Sequence, residues 1–383
     1  MSDNTPSSPD DNLLPSGARI DNTAADDLDA PKKVSRRGLL TGVGIGAAIV
    51  VAGGLGGWAF VRSQPKKTAN GLAVTKSWAD KTISITSPSG VCEAPLIVAY
   101  ENGLFEKAGL KVKLLKTGDG ENVVEAVGSG KYTASNGIFF NYLDPIYNGT
   151  PVKLSGGLHH GCLDLYVLSD GGIDTVADLK GKKIGVTSLQ GSSTNYFSLD
   201  LLDAGINSSP EAKQVEWVVI TDQTLLPQAL KDGKVDAIAT AGGFLPVIQA
   251  VQDGRLKEIS NNRDQNLSKN AKEPCCAVVL NNTFVSEDPV TAAKLVTAWA
   301  DGSRWAGANL EATAKLAAGK YVAGTAEEIL PVLKTLTFDP SPKNLHQVLE
   351  PGIEKYIKTG FLPKDTNAKA LADKAFVDLG LNF

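Results

Sequence analysis

From Lys81 to about Val279, short runs rich in β-branched residues alternate with longer amphipathic segments, and this order constrains the fold more than any other feature. A repeated strand-then-helix order is typical of an α/β protein with a mostly parallel sheet and helices on both faces. The predicted strands are Thr82–Ser87, Leu110–Leu115, Tyr132–Ser135, Val152–Ser155, Leu163–Leu168, Lys183–Thr187, Val215–Ile220 and Val235–Ala239. The predicted helices between them are Glu93–Ala108, Glu121–Val127, Ser193–Ala204 and Thr224–Lys231, and beyond Val279 the chain becomes almost entirely helical.

The stretch from Asp178 to Thr194 combines a polar turn, a buried-strand signal and a glycine-containing loop that leads into a helix at three hydroxyl residues. At such a helix start, unpaired backbone N–H groups and the positive end of the helix dipole point the same way, so the site attracts anions. A simpler interpretation is that Ser192 or Thr194 is only an N-cap.

In open α/β sheets, ligands bind beyond the carboxyl ends of the strands. Four predicted loops at these ends are small, polar and glycine-bearing, which lets backbone N–H groups approach a ligand closely. The candidate ligand-binding residues in these loops are Ser89, Gly90, Cys92, Asn136, Gly137, Ser192, Ser193, Thr194, Thr240 and Gly242. None of the four loops contains Arg or Lys, so hydroxyls, N–H groups and helix dipoles would have to hold an anion. The absence of a basic residue from these loops is also compatible with a neutral ligand.

Cysteine and histidine residues cluster in two short segments. His159, His160 and Cys162 lie in one, and the adjacent pair Cys275 and Cys276 lies in the other. Thiolates beside imidazole suit zinc or copper(I), while cysteines next to apolar residues are often small buried hydrophobes or line a cleft. Adjacent cysteines are badly placed to bond to each other. These five residues are therefore candidates for a cleft or a metal site, and the sequence leaves both open.

Composition excludes several classes of function. The net charge is −4 and no basic stripe carries interleaved aromatic residues, which argues against a nucleic-acid partner. The chain has only three histidines and no evident pair of catalytic carboxylates. We therefore assign no catalytic residue and no cofactor.

The first eighty residues differ from the rest. Residues 1–34 are acidic and without period, which is typical of disorder. Ser35-Arg36-Arg37-Gly38-Leu39-Leu40 and the uncharged run to Val61 resemble a twin-arginine export signal. The run from Gly38 to Val61 is also long enough to span a bilayer, so a retained membrane anchor competes with a cleaved signal. Residues 62–80 are expected to form a polar linker.

Three segments carry a resemblance to a known family. Glu101–Val112, Val176–Val186 and Leu230–Ala237 resemble the sulfonate/nitrate/taurine-type substrate-binding proteins of ABC importers, across roughly residues 81–290. The resemblance implies a type II periplasmic-binding-protein fold, in which two α/β lobes close on a ligand by hinge motion. It implies that the first lobe comprises 81–169 and 274–383 and the second 170–273, with crossings near 168–173 and 272–276.

The resemblance further implies an extracytoplasmic receptor for a small anion such as a sulfonate, taurine or nitrate, with no catalysis. Its partners would be an ABC permease with its ATPase, and the membrane through the N-terminal apolar segment. A neutral heterocycle, a thiamine precursor, a metal, or a role as a membrane-anchored sensor stay open as alternatives. So does an enzyme similar to the fungal thiamine-pyrimidine synthases, which carry a longer cysteine cluster than the pair Cys275–Cys276 present here.

Overall fold

The computed structural model of this chain describes residues 67–118, 121–243, 245–271 and 273–383. The predicted acidic segment 1–34 and export segment 35–61 lie outside the described residues, as do positions 62–66 of the predicted linker. Within the described ranges, no helix combines the length and the apolar character needed to cross a bilayer.

The chain forms two five-stranded mixed sheets. The strands are β1 Thr82–Thr86, β2 Lys111–Leu115, β3 Ala134–Ile138, β4 Val152–His159, β5 Leu163–Leu168, β6 Lys183–Val186, β7 Glu216–Val219, β8 Ala237–Ala241, β9 Leu256–Asn261 and β10 Cys276–Asn281. The first sheet has the order β2-β1-β3-β10-β4, and the second has the order β7-β6-β8-β5-β9. The α/β prediction is confirmed, but β10 runs antiparallel to β3 and β4, and β5 runs antiparallel to β8 and β9.

Helices cover both sheets. Their bounds are α1 Ala94–Glu101, α2 Leu104–Lys107, α3 Val123–Gly128, α4 Phe140–Tyr147, α5 Ser192–Asp203, α6 Leu226–Lys231, α7 Leu245–Gln252, α8 Asn282–Glu287, α9 Pro289–Ala308, α10 Leu310–Ala317, α11 Ala326–Leu333, α12 Pro342–Thr359 and α13 Ala368–Ala375. The predicted helix Glu93–Ala108 is divided into α1 and α2, because Gly103 between them has a φ of 63° in the left-handed region. The helical character of the chain after β10 is confirmed.

The chain passes between the two sheets earlier than the sequence predicts. Strand β4 belongs to the first sheet and ends at His159. The next strand, β5, already pairs with β8 and β9 of the second sheet. The first crossing is therefore 160–162, and the expectation of a crossing near 168–173 is wrong. The crossing was misplaced because β5 pairs antiparallel with strands that follow it in the chain. The alternation of strands and helices in the sequence does not show which sheet a strand joins. The chain returns between β9 and β10.

Residues 67–80, expected to be part of a linker, lie against the folded body. The indole N–H of Trp78 donates to Glu287 at 2.8 Å, and its ring packs edge-on against Phe284 with centroids 4.9 Å apart. The backbone N–H of Trp78 also donates to the Asp288 carboxylate at 2.7 Å. These contacts fix the segment to α8 and to the N-cap of α9, so its described part is not a free linker.

Candidate functional site

A cavity of about 930 Å³ lies where loops of the two sheets face each other. The loop after β1 contributes Ser89 and Gly90, and the loop after β8 contributes Gly242. Helices α7 and α11, the segment 322–324 before α11, and Gln223 and Thr224 before α6 form the remaining walls. The volume falls in the range of pockets that enclose a small organic ligand, so this cavity is the candidate ligand site.

The cavity has an unusual charge balance for an anion site. Its polar walls consist of amides, hydroxyls and carboxylates, and among the described residues that line it there is no Lys or Arg. The carboxylates belong to Glu327 and Glu328, both exposed at the start of α11. The amides belong to Gln223, Gln249 and Gln252. An anion placed here would face carboxylates with no cation beside it.

Glu93 shapes the loop after β1. Its half-buried carboxylate accepts hydrogen bonds from the backbone N–H groups of Ser89 at 2.7 Å and Gly90 at 3.0 Å. Burial raises the pKa of Glu93, and these backbone donors oppose the rise. The carboxylate thus uses two N–H groups that the sequence analysis assigned to a ligand. Sequence reasoning missed Glu93, although the spacing of Gly90 and Glu93 is that of a capping box.

Two predicted site residues carry side chains with no internal partner. Asn136 on β3 is 7% exposed and Thr240 on β8 is 1% exposed. Neither the amide of Asn136 nor the hydroxyl of Thr240 forms a hydrogen bond with any described residue. Most buried polar groups in folded proteins are paired, so such unpaired groups often belong to ligand sites. Neither residue lines the 930 Å³ cavity itself.

Gly137 serves packing. A Cβ atom at this position would lie 2.6 Å from the hydroxyl oxygen of Tyr142 on α4, so a side chain here would displace that ring. Tyr142 is buried, and burial raises the pKa of its hydroxyl. Gly137 therefore lets Tyr142 pack against the end of β3.

Helix α5 begins at Ser192, and its N-cap is Gly191 without any side-chain cap. The simpler interpretation, that Ser192 or Thr194 is only an N-cap, is therefore wrong. The Thr194 hydroxyl donates to the Ser188 carbonyl at 2.6 Å, which holds the preceding loop. Ser192 and Ser193 are both 5% exposed. These three residues do not line the cavity, so the structure does not bring them together with Ser89, Gly90 and Gly242.

Cys162, Cys275 and Cys276 are buried at the crossings, and Cys92, in the loop after β1, is half-buried. Cys162 and Cys275 form a disulfide, and the neighbouring Cys92 thiol, together with burial, raises the pKa of the Cys276 thiol. The hypothesis that Cys162 and Cys275 bind a metal as thiolates is wrong, because the chain brings them together at the two crossings and their sulfurs are bonded to each other. Adjacent Cys276 stays a free thiol.

The two histidines of this region differ. His159 is fully buried, its Nε2 has no partner among the described residues, and burial lowers its pKa to about 4. Nδ1 of His160 lies 3.1 Å from the Glu273 carbonyl, and its backbone N–H donates to Thr337. His160 therefore holds the crossing in place, while His159 has a free ring nitrogen.

The described fold is that of periplasmic binding proteins. It is similar to the aliphatic sulphonate binding protein SsuA of Escherichia coli, with 16% identity, a TM-score of 0.61, and coverage of 76% of this chain and 91% of that one. It is also similar to the nitrate-binding protein NrtA of Synechocystis PCC 6803, with 16% identity, a TM-score of 0.60, and coverage of 79% and 86%. At this identity, the similarity shows the fold.

The family follows from the sequence match. The model of the NMT1/THI5 like family matches residues 93–312, more than half of the chain, and the chain belongs to that family.

The curated relatives are named either as pyrimidine phosphate synthases or as a thiamine biosynthesis protein. A 4-amino-5-hydroxymethyl-2-methylpyrimidine phosphate synthase of Aspergillus parasiticus is 37% identical over 94 residues, which cover 24% of this chain and 28% of the relative. A putative thiamine biosynthesis protein of Haemophilus influenzae is 28% identical over 149 residues, which cover 39% and 45%. The chain spans less than half the length of these two relatives.

Proposed function

We propose that this chain is an exported solute-binding receptor that closes its two lobes on a small neutral or weakly basic heterocycle and performs no chemistry. The observation that carries the proposal is the cavity between the sheets, whose described lining offers carboxylates and amides and no cation. Such a lining favours ligands that donate hydrogen bonds, and it disfavours a sulfonate or nitrate, which would lie near like charges.

The names of the relatives suggest the class of heterocycle. Three of them are named as synthases of an aminopyrimidine phosphate, and one is named for thiamine biosynthesis. An aminopyrimidine without its phosphate has donor and acceptor groups on one edge and no negative charge. It therefore matches the amides of Gln223, Gln249 and Gln252 better than any anion does.

An anion stays the second candidate, because one feature favours it. Helix α5 starts with Gly191 as an uncapped N-cap, and the hydroxyls of Ser192 and Ser193 accompany the first backbone N–H groups. A helix start of this kind attracts negative charge. Its residues lie outside the cavity lining, so we rank this candidate below the heterocycle.

Export and a transport partner complete the proposal. The arginine pair Arg36-Arg37 before an apolar run supports export in a folded state, and the resemblance to importer receptors supports an ABC permease with its ATPase as the partner. The absence of catalysis is supported by the cysteine pattern, in which Cys275 is bonded to Cys162 and only Cys276 of the adjacent pair is free.

A thermal-shift screen of the full chain tests the proposal. The compounds are 4-amino-5-hydroxymethyl-2-methylpyrimidine, its phosphate, taurine, an alkanesulfonate and nitrate. At about 100 times its dissociation constant, the true ligand stabilises the fold by roughly 2.7 kcal/mol. We expect a shift with the unphosphorylated pyrimidine and none with the anions. A shift with taurine or nitrate alone would establish the second candidate, and turnover of a pyrimidine precursor would refute the non-enzymatic role.

A further inference from the structure

The two lobes touch directly at the cavity, and glycine residues lie at the points of contact. The second lobe, built on the second sheet, contributes the loop after β8 and helix α7, which packs against β9. The first lobe contributes α11, which packs against α10, and α10 in turn packs against α1 and α9 on the first sheet. A contact of α11 with the loop after β8 or with α7 is therefore a contact between the lobes.

Gly243, in the loop after β8, leaves no room for a side chain between the lobes. A Cβ atom at this position would lie 2.3 Å from Cγ1 of Val332 on α11, well inside van der Waals contact. Gly243 is buried, and its φ of 69° lies in the left-handed region that favours glycine. A side chain here would have to push the loop and α11 apart.

Neither side of this contact can easily yield. Val332 is fully buried, and a β-branched side chain in a helix has one strongly preferred rotamer. The loop of Gly243 is fixed to the second lobe, because the side-chain amide of Gln223 bonds the backbone N–H and the carbonyl of Ala241, each at 3.2 Å. The collision would therefore be relieved mainly by movement of one lobe against the other.

A second contact has its glycine on the first lobe and its side chain on the second. Gly324, in the segment before α11, has a φ of 114°, and a Cβ atom there would lie 3.0 Å from Cδ1 of Leu245 on α7. Gly243 and Gly324 both line the cavity. The two glycines thus lie where the walls of the cavity, α7 and α11, meet.

We propose that Gly243 and Gly324 are positioning residues for solute binding, because their missing side chains let the two lobes close fully around the cavity. This inference rests on the proposed closure of the lobes on a solute. Apparent affinity falls with the fraction of molecules that can adopt the binding-competent form. A residue that limits closure therefore weakens every ligand of the cleft alike.

Cys92 reports the opening of the lobes in the ligand-free protein. Its sulfur belongs to the first lobe and lies 3.9 Å from where a Cβ atom of Gly242 on the second lobe would be. Cys92 is half-buried, whereas Cys276 is buried and reports unfolding. The full chain is treated with iodoacetamide under native conditions, and labelling of each thiol is followed by peptide mass spectrometry. In Gly243→Ala we expect Cys92 to react several-fold faster than in the wild type, and Cys276 to react at an unchanged rate.

Gly233→Ala is the matched control. Gly233 lies between α6 and β8 and has a φ of 68°, and no atom beyond its chain neighbours lies within 4 Å of its Cβ position. Its alanine variant has the same backbone strain without a collision, so Cys92 should react as in the wild type. Adding Val332→Ala to Gly243→Ala removes the methyl groups that the new side chain meets. The rate for Cys92 should then return toward that of Val332→Ala alone.

Affinity is the second readout. Overpacking of one methyl group at a tight contact should raise the Kd for 4-amino-5-hydroxymethyl-2-methylpyrimidine about 5- to 150-fold in Gly243→Ala. Gly233→Ala should keep the Kd of the wild type. If Gly243→Ala also speeds the labelling of Cys276, the variant unfolds, and Gly324→Ala carries the test, because Gly324 is exposed.

Two results would overturn the proposal. The first is the same labelling rate of Cys92 in the wild type, Gly243→Ala and Gly324→Ala. The second is a faster rate in Gly243→Ala that Val332→Ala does not reverse. If the pyrimidine binds the wild type and Gly243→Ala equally, this inference fails and the proposed function stands. If the pyrimidine binds neither protein, the proposed ligand is wrong, and the labelling rates still decide the role of the glycines.

Discussion

At the scale of residues, Thr240 shows how a buried hydroxyl without a hydrogen-bond partner lowers the stability of the protein. Its hydroxyl is buried and unpaired, so Thr240→Val keeps the shape and removes only the unpaired group. Removing an unsatisfied buried group is neutral or stabilising, by up to about 1–3 kcal/mol. We expect the variant to unfold at equal or higher urea concentration than the wild type.

Ser198→Ala is the matched control for Thr240→Val. Its hydroxyl is also buried, but it donates to the Thr194 carbonyl at 2.7 Å. Loss of a satisfied hydrogen bond costs about 0.5–1.5 kcal/mol. If Thr240→Val destabilised the protein as much as Ser198→Ala does, the Thr240 hydroxyl would have a hydrogen-bond partner in solution.

Glu273 makes the stability depend on pH. It lies in the return crossing, is 5% exposed, and has Lys355 at 3.7 Å from one oxygen, while its other oxygen has no partner. Burial raises its pKa from 4.5 to about 7. Between these two values the folded protein holds a proton that the unfolded chain has released, so the free energy of unfolding falls as pH rises. The full cost, up to about 3 kcal/mol, is reached above pH 7.

Glu273→Gln should therefore remove much of the loss of stability between pH 4.5 and 8, measured by urea unfolding at both values. The exposed Glu354 on α12 is the control position, and Glu354→Gln should leave the pH dependence unchanged. Equal pH profiles for the wild type and Glu273→Gln would show that the glutamate is ionised at little cost in the folded protein.

At the scale of elements, the disulfide connects the two passages between the sheets. Cys162 follows β4 and Cys275 precedes β10, and the bond closes a loop of 113 residues that contains the whole second sheet. Closing so long a loop restricts the unfolded chain, which in the entropic account stabilises the fold by about 4–5 kcal/mol. We expect Cys162→Ser/Cys275→Ser to unfold about 2–5 kcal/mol more easily, with Cys92→Ser as a control of smaller effect.

The alternation of strands and helices in the sequence predicted where most strands and helices lie, but it did not predict which strands pair with each other. Strands such as Leu163–Leu168 and Lys183–Val186 were found from their apolar runs, because burial on both faces selects such residues. The sheet that each strand joins depends on contacts distant in sequence, so the crossing was misplaced. β9 and β10 were missed as strands. Both pair antiparallel beside the crossings, where the alternation of strand and helix is interrupted.

The candidate site was predicted in part. Ser89, Gly90 and Gly242 line the cavity, since glycine-bearing loops do follow β1 and β8. The walls from α7 and α11 could not be predicted, because α11 lies 84 positions after Gly242 in the chain and reaches the cleft only through the tertiary fold. The bond between Cys162 and Cys275 depends on the first crossing at 160–162, which the sequence predicted at 168–173, and on the return, which was predicted near 272–276 and contains Cys275.

At the scale of the whole molecule, the charge of the cleft decides which ligands it admits. Glu327 lies in the first turn of α11 at the cavity, and Glu311 lies in the first turn of α10 outside it. Glu327→Lys should weaken binding of a neutral or basic heterocycle several-fold and improve binding of anions. Glu311→Lys is the control: it loses the same favourable interaction with the helix dipole, about 0.3–1 kcal/mol of stability, and should leave the ligand affinity unchanged. Equal affinities in both variants would place the ligand away from α11.

Calorimetric titration of the full chain with 4-amino-5-hydroxymethyl-2-methylpyrimidine, and separately with taurine, tests the central claim most directly. The cavity between the two sheets has carboxylates and amides and no cation among its described lining residues. We therefore expect one pyrimidine bound per chain, with a negative heat-capacity change from burial of the ring, and no heat from taurine. Saturable binding of taurine together with no binding of the pyrimidine would contradict the account.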